Sequence, residues 1–190
     1  IRCTNIDCPS RLETPILYWC RKLGMDGIGE KLAEQLCSSG LVTSLGDLYR
    51  LEDREQELIS LERMAEKSAS NVLEELNSTR AMTFSTFISA LGLPRIGPEI
   101  ATLVCAEVKT LEELIQMTEE RQAAIQRLVS IDRVGETVAN LLLDGISDRK
   151  ESIIDLYGQV EIVEGEQVSV DGPLSGSSFC ITGTLSRPRK

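Results

Sequence analysis

The sequence predicts a mostly helical chain in which a helix, a tight hairpin turn and a second helix recur four times, with a short β segment near the C-terminus. Three observations carry this. A turn centred on an apolar anchor recurs as Gly27-Ile28-Gly29, Arg63-Met64-Ala65, Arg95-Ile96-Gly97 and Arg133-Val134-Gly135, the anchors lying 36, 32 and 38 residues apart. Five positions after each anchor stands an alanine (Ala33, Ala69, Ala101, Ala139), and eight positions after it an aliphatic residue (Leu36, Val72, Val104, Leu142). The last copy is the clearest: an apolar lead-in ends at Ile131, and Glu136 opens a run with Val138, Ala139, Leu142 and Leu143 at helical spacing. Repeat periods of this size mean stacked helical units. The invariant small residue implies that neighbouring helices approach closely there.

In chain order, Cys3 and Cys8 come first, two cysteines that could supply two of the four thiolates of a tetrahedral zinc site. Arg11 to Cys20 is expected to be a helix with Leu12, Ile16 and Trp19 facing inward. Gly24 to Gly29 is the first hairpin, and Glu30 to Ser39 its second helix, closed by Gly40. Ser44–Tyr49 and Arg54–Ser60 read as short helices leading to the second hairpin, where Arg63 and Ala65 replace both glycines. The polar stretch Asn77–Thr83 is the expected seam between the first and second pairs of repeats. Phe84, Phe87, Ile88 and Leu91 form one helical face ending at Gly92, and Pro98 suits the first turn after the third hairpin. Thr110, with Glu113 three residues on, caps the next helix to Met117, and Glu119–Val129 leads to the fourth hairpin, where Gly135 is expected to take φ > 0. Ser147 is the expected cap of a last helix to Tyr157. Beyond Gly158 the alternation of Val160 and Ile162, then Val168 and Val170, reads as an edge strand or extended linker, and Ser178–Leu185 as a short strand expected to be disordered or loosely docked. The resulting division is 1–10, 11–76 (repeats 1 and 2), 77–158 (repeats 3 and 4), 159–173 (linker) and 174–190.

Composition excludes several classes. No apolar run is long enough to span a bilayer, and six scattered cysteines without histidine do not make a secreted disulfide framework. Cys37 and Cys105 fall at one repeat position and are expected to be core-facing. The formal net charge of −10 argues against a generally basic nucleic-acid binder. Residues 151–186 hold six acids and no lysine or arginine. Any nucleic-acid contact must come from local geometry and a few placed cations. Each hairpin offers both: backbone N–H groups at a helix start bind phosphate well, and Lys31, Arg63, Lys67, Arg95 and Arg133 lie at or within three residues of an anchor. The seven aromatics are unclustered along the chain, which argues against single-strand stacking.

The segments Arg2–Pro9, Gly27–Leu32, Asp47–Leu51, Leu61–Ser68, Ala90–Gly92 and Thr182–Arg187 together resemble the C-terminal half of bacterial NAD-dependent DNA ligases. The resemblance implies the end of a tetracysteine zinc finger holding Cys3 and Cys8, four helix-hairpin-helix motifs in a SAM/RuvA domain 2-like helical array, a linker, and the first strand of a BRCT domain. It implies a parent enzyme of the bacterial cytosol and nucleoid that uses NAD and magnesium to seal nicks in replication and repair. Within it, a monomeric fragment of this kind would grip nicked double-stranded DNA without touching a membrane. The Lys-x-Asp-Gly adenylation motif does not occur here, so no catalytic residue is expected and the fragment alone should not ligate. The DNA-binding residues implied are Gly27, Gly29, Lys31, Arg63, Lys67, Arg95, Gly97, Arg133 and Gly135. Two rivals are a helix-hairpin-helix module of another repair protein, which the zinc-like start and BRCT-like end oppose, and a protein-interaction scaffold, which the acidic charge favours.

Overall fold

The computed structural model describes residues 9–164, which are mostly helical. The first repeat is α1 (Pro9–Lys22), a hairpin and α2 (Glu30–Ser38). A 3-10 helix (Gly46–Arg54) leads into the second, α3 (Glu55–Ile59), hairpin and α4 (Glu66–Ser78). A strand, β1 (Ala81–Thr83), precedes the third, α5 (Phe84–Ala90), hairpin and α6 (Pro98–Glu107). Helix α7 (Leu111–Glu119) joins it to the fourth, α8 (Arg121–Val129), hairpin and α9 (Glu136–Ser147), and α10 (Lys150–Tyr157) and β2 (Glu161–Val163) complete the described chain. The expectations for Cys3, Cys8, Val168, Val170 and residues 174–190 lie outside the described residues.

The repeat register is a packing register. All four alanines are fully buried, and Leu36, Val72, Val104 and Leu142 are at most 3% exposed. Each alanine N–H donates to the carbonyl of the residue opening its helix, at 2.9–3.0 Å, and with no exposure at these positions a larger side chain would have to displace core neighbours. The first helix buries Ile16 and Trp19 as its spacing predicts, and it accommodates Pro15.

Five aromatics, scattered in sequence, gather in this core. Trp19 meets Tyr49 and Phe87 edge-on at 6.5 and 5.8 Å, and Phe87 and Phe84 meet Tyr157 at 5.4 and 6.5 Å. Trp19 also donates its indole N–H to the Tyr49 hydroxyl at 3.0 Å, satisfying a donor that burial would otherwise penalise. Edge-to-face pairs contribute roughly 0.5–1.5 kcal/mol each beyond buried area, and this chain of rings runs from the first repeat through the third to α10. Polar contacts close the same seam: Arg50 pairs with Asp155 on α10, and Arg80 donates to the carbonyls of Tyr49 and Gln159.

Three local expectations change. The polar seam holds a strand: β1 pairs in parallel with β2, Ala81 opposite Glu161 and Thr83 opposite Val163. Ser147 does not cap α10; it lies in the last turn of α9, whose ladder continues through the Asp148 N–H to the Asp144 carbonyl, and α10 begins after Arg149. The third change is at the hairpins. Gly135 has φ −84°, and the positive φ falls on Arg133 at 63°.

Candidate nucleic-acid interface

In hairpins 2, 3 and 4 the turn is built one way. The anchor N–H donates back to the carbonyl three residues earlier, Met64 to Leu61, Ile96 to Leu93 and Val134 to Ile131, each at 3.1 Å. The residue before the anchor takes φ of 61°, 65° and 63° at Arg63, Arg95 and Arg133. A positive φ at the third position of such a turn is the type II pattern, which favours glycine. Arginine there costs roughly 1–2 kcal/mol of left-handed strain, and in return projects a cation from the hairpin tip. Arg63 has 80% and Arg133 61% of its side chain exposed, and Arg95 is exposed too. The anchors Ile28, Ile96 and Val134 are buried, fastening the turns to the core.

Hairpin 1 is different. Positive φ falls earlier, at Gly24, and the N–H of Gly27 donates to the Glu75 carboxylate on α4 at 2.8 Å. A Cβ on Gly27 would lie 2.7 Å from that oxygen. Glycine at this position therefore admits Glu75, and its amide already has an anion.

The four second helices open alike. Gly29 (φ −92°, ψ −179°), Ala65 (−94°, 163°), Gly97 (−87°, 179°) and Gly135 (−84°, 169°) all have extended backbone, and no side chain caps any of them. Two other helices are capped, Thr83 accepting from the Thr86 N–H and Thr110 from the Glu113 N–H, whereas α3, α8 and α10 also begin without a side-chain cap. A helix start leaves its first-turn N–H groups without intrahelical acceptors, at the positive end of the helix dipole. Extended φ and ψ suit any residue, so conformation does not demand glycine at 29, 97 or 135, and packing does not either. A Cβ added at any of the three would meet nothing within 4 Å. What glycine leaves at these positions is an unobstructed approach to the backbone from outside. Ala65 places a methyl group on that approach in hairpin 2.

The charged residues surround these helix starts. Lys31 and Lys67 stand in the first turns of α2 and α4 and are exposed. In the second pair of repeats Arg133 is ion-paired with Glu99 of α6, and a shallow cleft lined by Pro98, Glu99, Thr102, Leu103, Asp132 and Arg133 runs between the start of α6 and hairpin 4. Neither the left-handed arginines nor the Glu99–Arg133 and Glu75–Gly27 contacts were anticipated. The recurrence of arginine just before three of the four anchors was the available signal for the first.

Metal and thiol chemistry find no support among the described residues. No three cysteine or acidic side chains converge as a metal cluster. Burial pushes the Cys20 and Cys105 thiols up to about 12 and Cys37 to about 11, so all three stay protonated at neutral pH. No helix of the described residues is long and apolar enough to cross a membrane.

A family model described as a SAM-like helix-hairpin-helix tandem matches residues 23–78 and 87–148. Among curated proteins the chain is similar to the DNA ligases of Coprothermobacter proteolyticus (31% identity, 98% of this chain and 27% of the relative), Wolinella succinogenes (34%, 100% and 28%) and Rubrobacter xylanophilus (35%, 99% and 27%). The chain thus spans between a quarter and a third of the length of the curated relatives it matches.

Proposed function

We propose that this chain, which belongs to the SAM-like helix-hairpin-helix tandem family, is the duplex-gripping part of an NAD-dependent DNA ligase and holds nicked DNA by its phosphates. The observation that carries the reading is the set of exposed, uncapped helix starts, three opened by a glycine with empty space beyond it and all set beside hairpin cations. An N–H row with an adjacent guanidinium or ammonium matches a phosphodiester oxygen in charge and geometry. Contacts of this kind position a duplex without reading bases, as an enzyme sealing nicks in any sequence requires. Placed cations serve a chain of net charge −10 because they act within a screening length, where the overall field does not dominate.

Gly29, Gly97 and Gly135 would admit phosphates to the backbone, with Lys31, Arg63, Lys67, Arg95 and Arg133 adding charge. The Gly27 amide, held by Glu75, would take part only by exchanging that carboxylate. Adenylation from NAD, with magnesium, would belong to the remaining length of such an enzyme. Zinc would need Cys3 and Cys8 together with two further ligands. In this reading the chain works as a monomer in the bacterial cytosol, on replicating and repaired DNA.

The test is binding of a labelled nicked duplex at low and moderate salt by the wild type and a Gly97→Val, Gly135→Val double variant. The extended backbone and open surroundings of both positions predict that the variant folds normally, which circular dichroism checks. Steeply salt-dependent binding by the wild type and much weaker binding by the variant support the clamp. Equal binding by both proteins, or none at low salt, overturns it in favour of a scaffold.

A further inference from the structure

The two pairs of hairpins differ in charge just after their anchors. Three residues after each anchor the chain carries Lys31, Lys67, Glu99 and Thr137. In the second pair the helix after hairpin 3 therefore presents a carboxylate where the first pair presents a lysine, and that carboxylate pairs with Arg133 of hairpin 4, 34 residues away. The first pair faces its neighbour similarly: Gln35 of α2 donates to the Glu62 carbonyl of hairpin 2 at 3.4 Å. Leu103 holds the corresponding position of α6 and lines the cleft beside Arg133.

Packing does not impose the Glu99–Arg133 pair. Glu99 is 67% and Arg133 61% exposed in their side chains, and an exposed pair of this kind contributes little to stability. A carboxylate and a phosphodiester are alternative partners for a guanidinium, and the pair sits in an open cleft between α6 and hairpin 4. Resting on the phosphate-binding reading above, we infer that Glu99 is an internal competitor for the charge of hairpin 4. It holds the Arg133 guanidinium while the cleft is free, beside the neighbouring Asp132 carboxylate at 3.5 Å, and a DNA phosphate must displace it. Glu99 thereby sets the affinity of the second pair of hairpins below what its cations alone would confer. In the first pair, Lys31 stands at the equivalent position, so Arg63 meets no competitor from across the pair.

The experiment is a double-mutant cycle on duplex affinity, read by fluorescence anisotropy at low and moderate salt, with the wild type, Glu99→Gln, Arg133→Gln and the double variant. Glu99→Gln is expected to bind about three- to tenfold tighter, the range an exposed ion pair and its lost repulsion account for. In the Arg133→Gln background the same change should gain less than twofold. Equal gains in both backgrounds would make Glu99 a general repulsive charge and overturn the inference, as would no gain at all. If the wild type binds with steep salt dependence and Glu99→Gln changes nothing, only this inference falls. If no variant binds duplex at low salt, the phosphate-clamp reading falls with it. Tight binding by Glu99→Gln alone would support both.

Discussion

Gly145 sits inside α9, where glycine is a poor helix former, and its replacement by alanine tests how tightly the fourth repeat is packed on hairpin 3. By intrinsic propensity alone, Gly145→Ala should stabilise the protein by about 1 kcal/mol. The surroundings oppose this. An added Cβ would lie 2.5 Å from Leu93 Cδ2, 3.5 Å from its Cγ and 3.7 Å from its Cδ1, and Leu93 is only 4% exposed. About 1 Å of displacement in a filled site costs roughly 1–3 kcal/mol, so the net effect is a destabilisation of about 1 kcal/mol. For a chain of this length that lowers the midpoint by about 2–4 °C. The three nearest atoms the new methyl group meets all belong to Leu93. In a Leu93→Ala background, itself destabilised by about 2–5 kcal/mol, the obstruction is gone and Gly145→Ala should stabilise by about 1 kcal/mol. Urea unfolding followed by circular dichroism on the four proteins measures the sign change, a coupling of about 2 kcal/mol. The same sign in both backgrounds would refute the close approach of α9 to hairpin 3.

Asp47 accepts from the Thr43 N–H and hydroxyl at 2.8 and 2.7 Å, from the Ser44 N–H at 3.0 Å and from Arg50 at 2.9 Å. Burial alone would raise its pKa, but these hydrogen bonds outweigh it and hold the carboxyl below its usual range. Because the folded pKa is depressed, the stabilisation is fully present above the unfolded value of about 3.9 and is lost as pH falls through the folded one. Asp47→Ala should therefore cost about 1–3 kcal/mol at pH 7, and unfolding titrations should find the gap from wild type closing below about pH 4. Arg63→Gly relieves left-handed strain of roughly 1–2 kcal/mol against a glycine entropy penalty of roughly 0.5–1 kcal/mol. It should leave the melting temperature unchanged or a few degrees higher while lowering the slope of log affinity against log salt by about 0.9. A lower melting temperature would contradict the strain.

How much of this was legible follows from how far each feature reaches along the chain. The repeats declare themselves locally: an anchor, an alanine and an aliphatic residue lie within nine positions of one another, so periodicity alone places them on one buried face. The helix-capping role of Thr110 was equally local. The left-handed residue was misplaced because glycine is the usual marker of positive φ, and here glycine and positive φ fall two positions apart, at Gly135 and Arg133. Glycine's use in these hairpins is the absence of a Cβ facing outward, which no propensity scale records. The pairings of Ala81 with Glu161, Glu99 with Arg133 and Gly27 with Glu75 join residues far apart in sequence. Each depends on how one repeat docks on another, and the pattern within a repeat does not determine that. The meeting of the aromatics is hidden for the same reason: scattered along the chain, they come together once α1, α5 and α10 pack.

The parallel pairing of β1 with β2 has a mechanical consequence. The third and fourth repeats leave from β1 and return to it, so the whole second pair is a loop closed by a three-residue ladder and by Arg80 reaching the Gln159 carbonyl. A pull exerted beyond Glu164 is met by that ladder before it reaches α9 or the hairpins of the second pair. Whatever is tethered there tugs on the middle of the array, and both pairs of hairpins share the load.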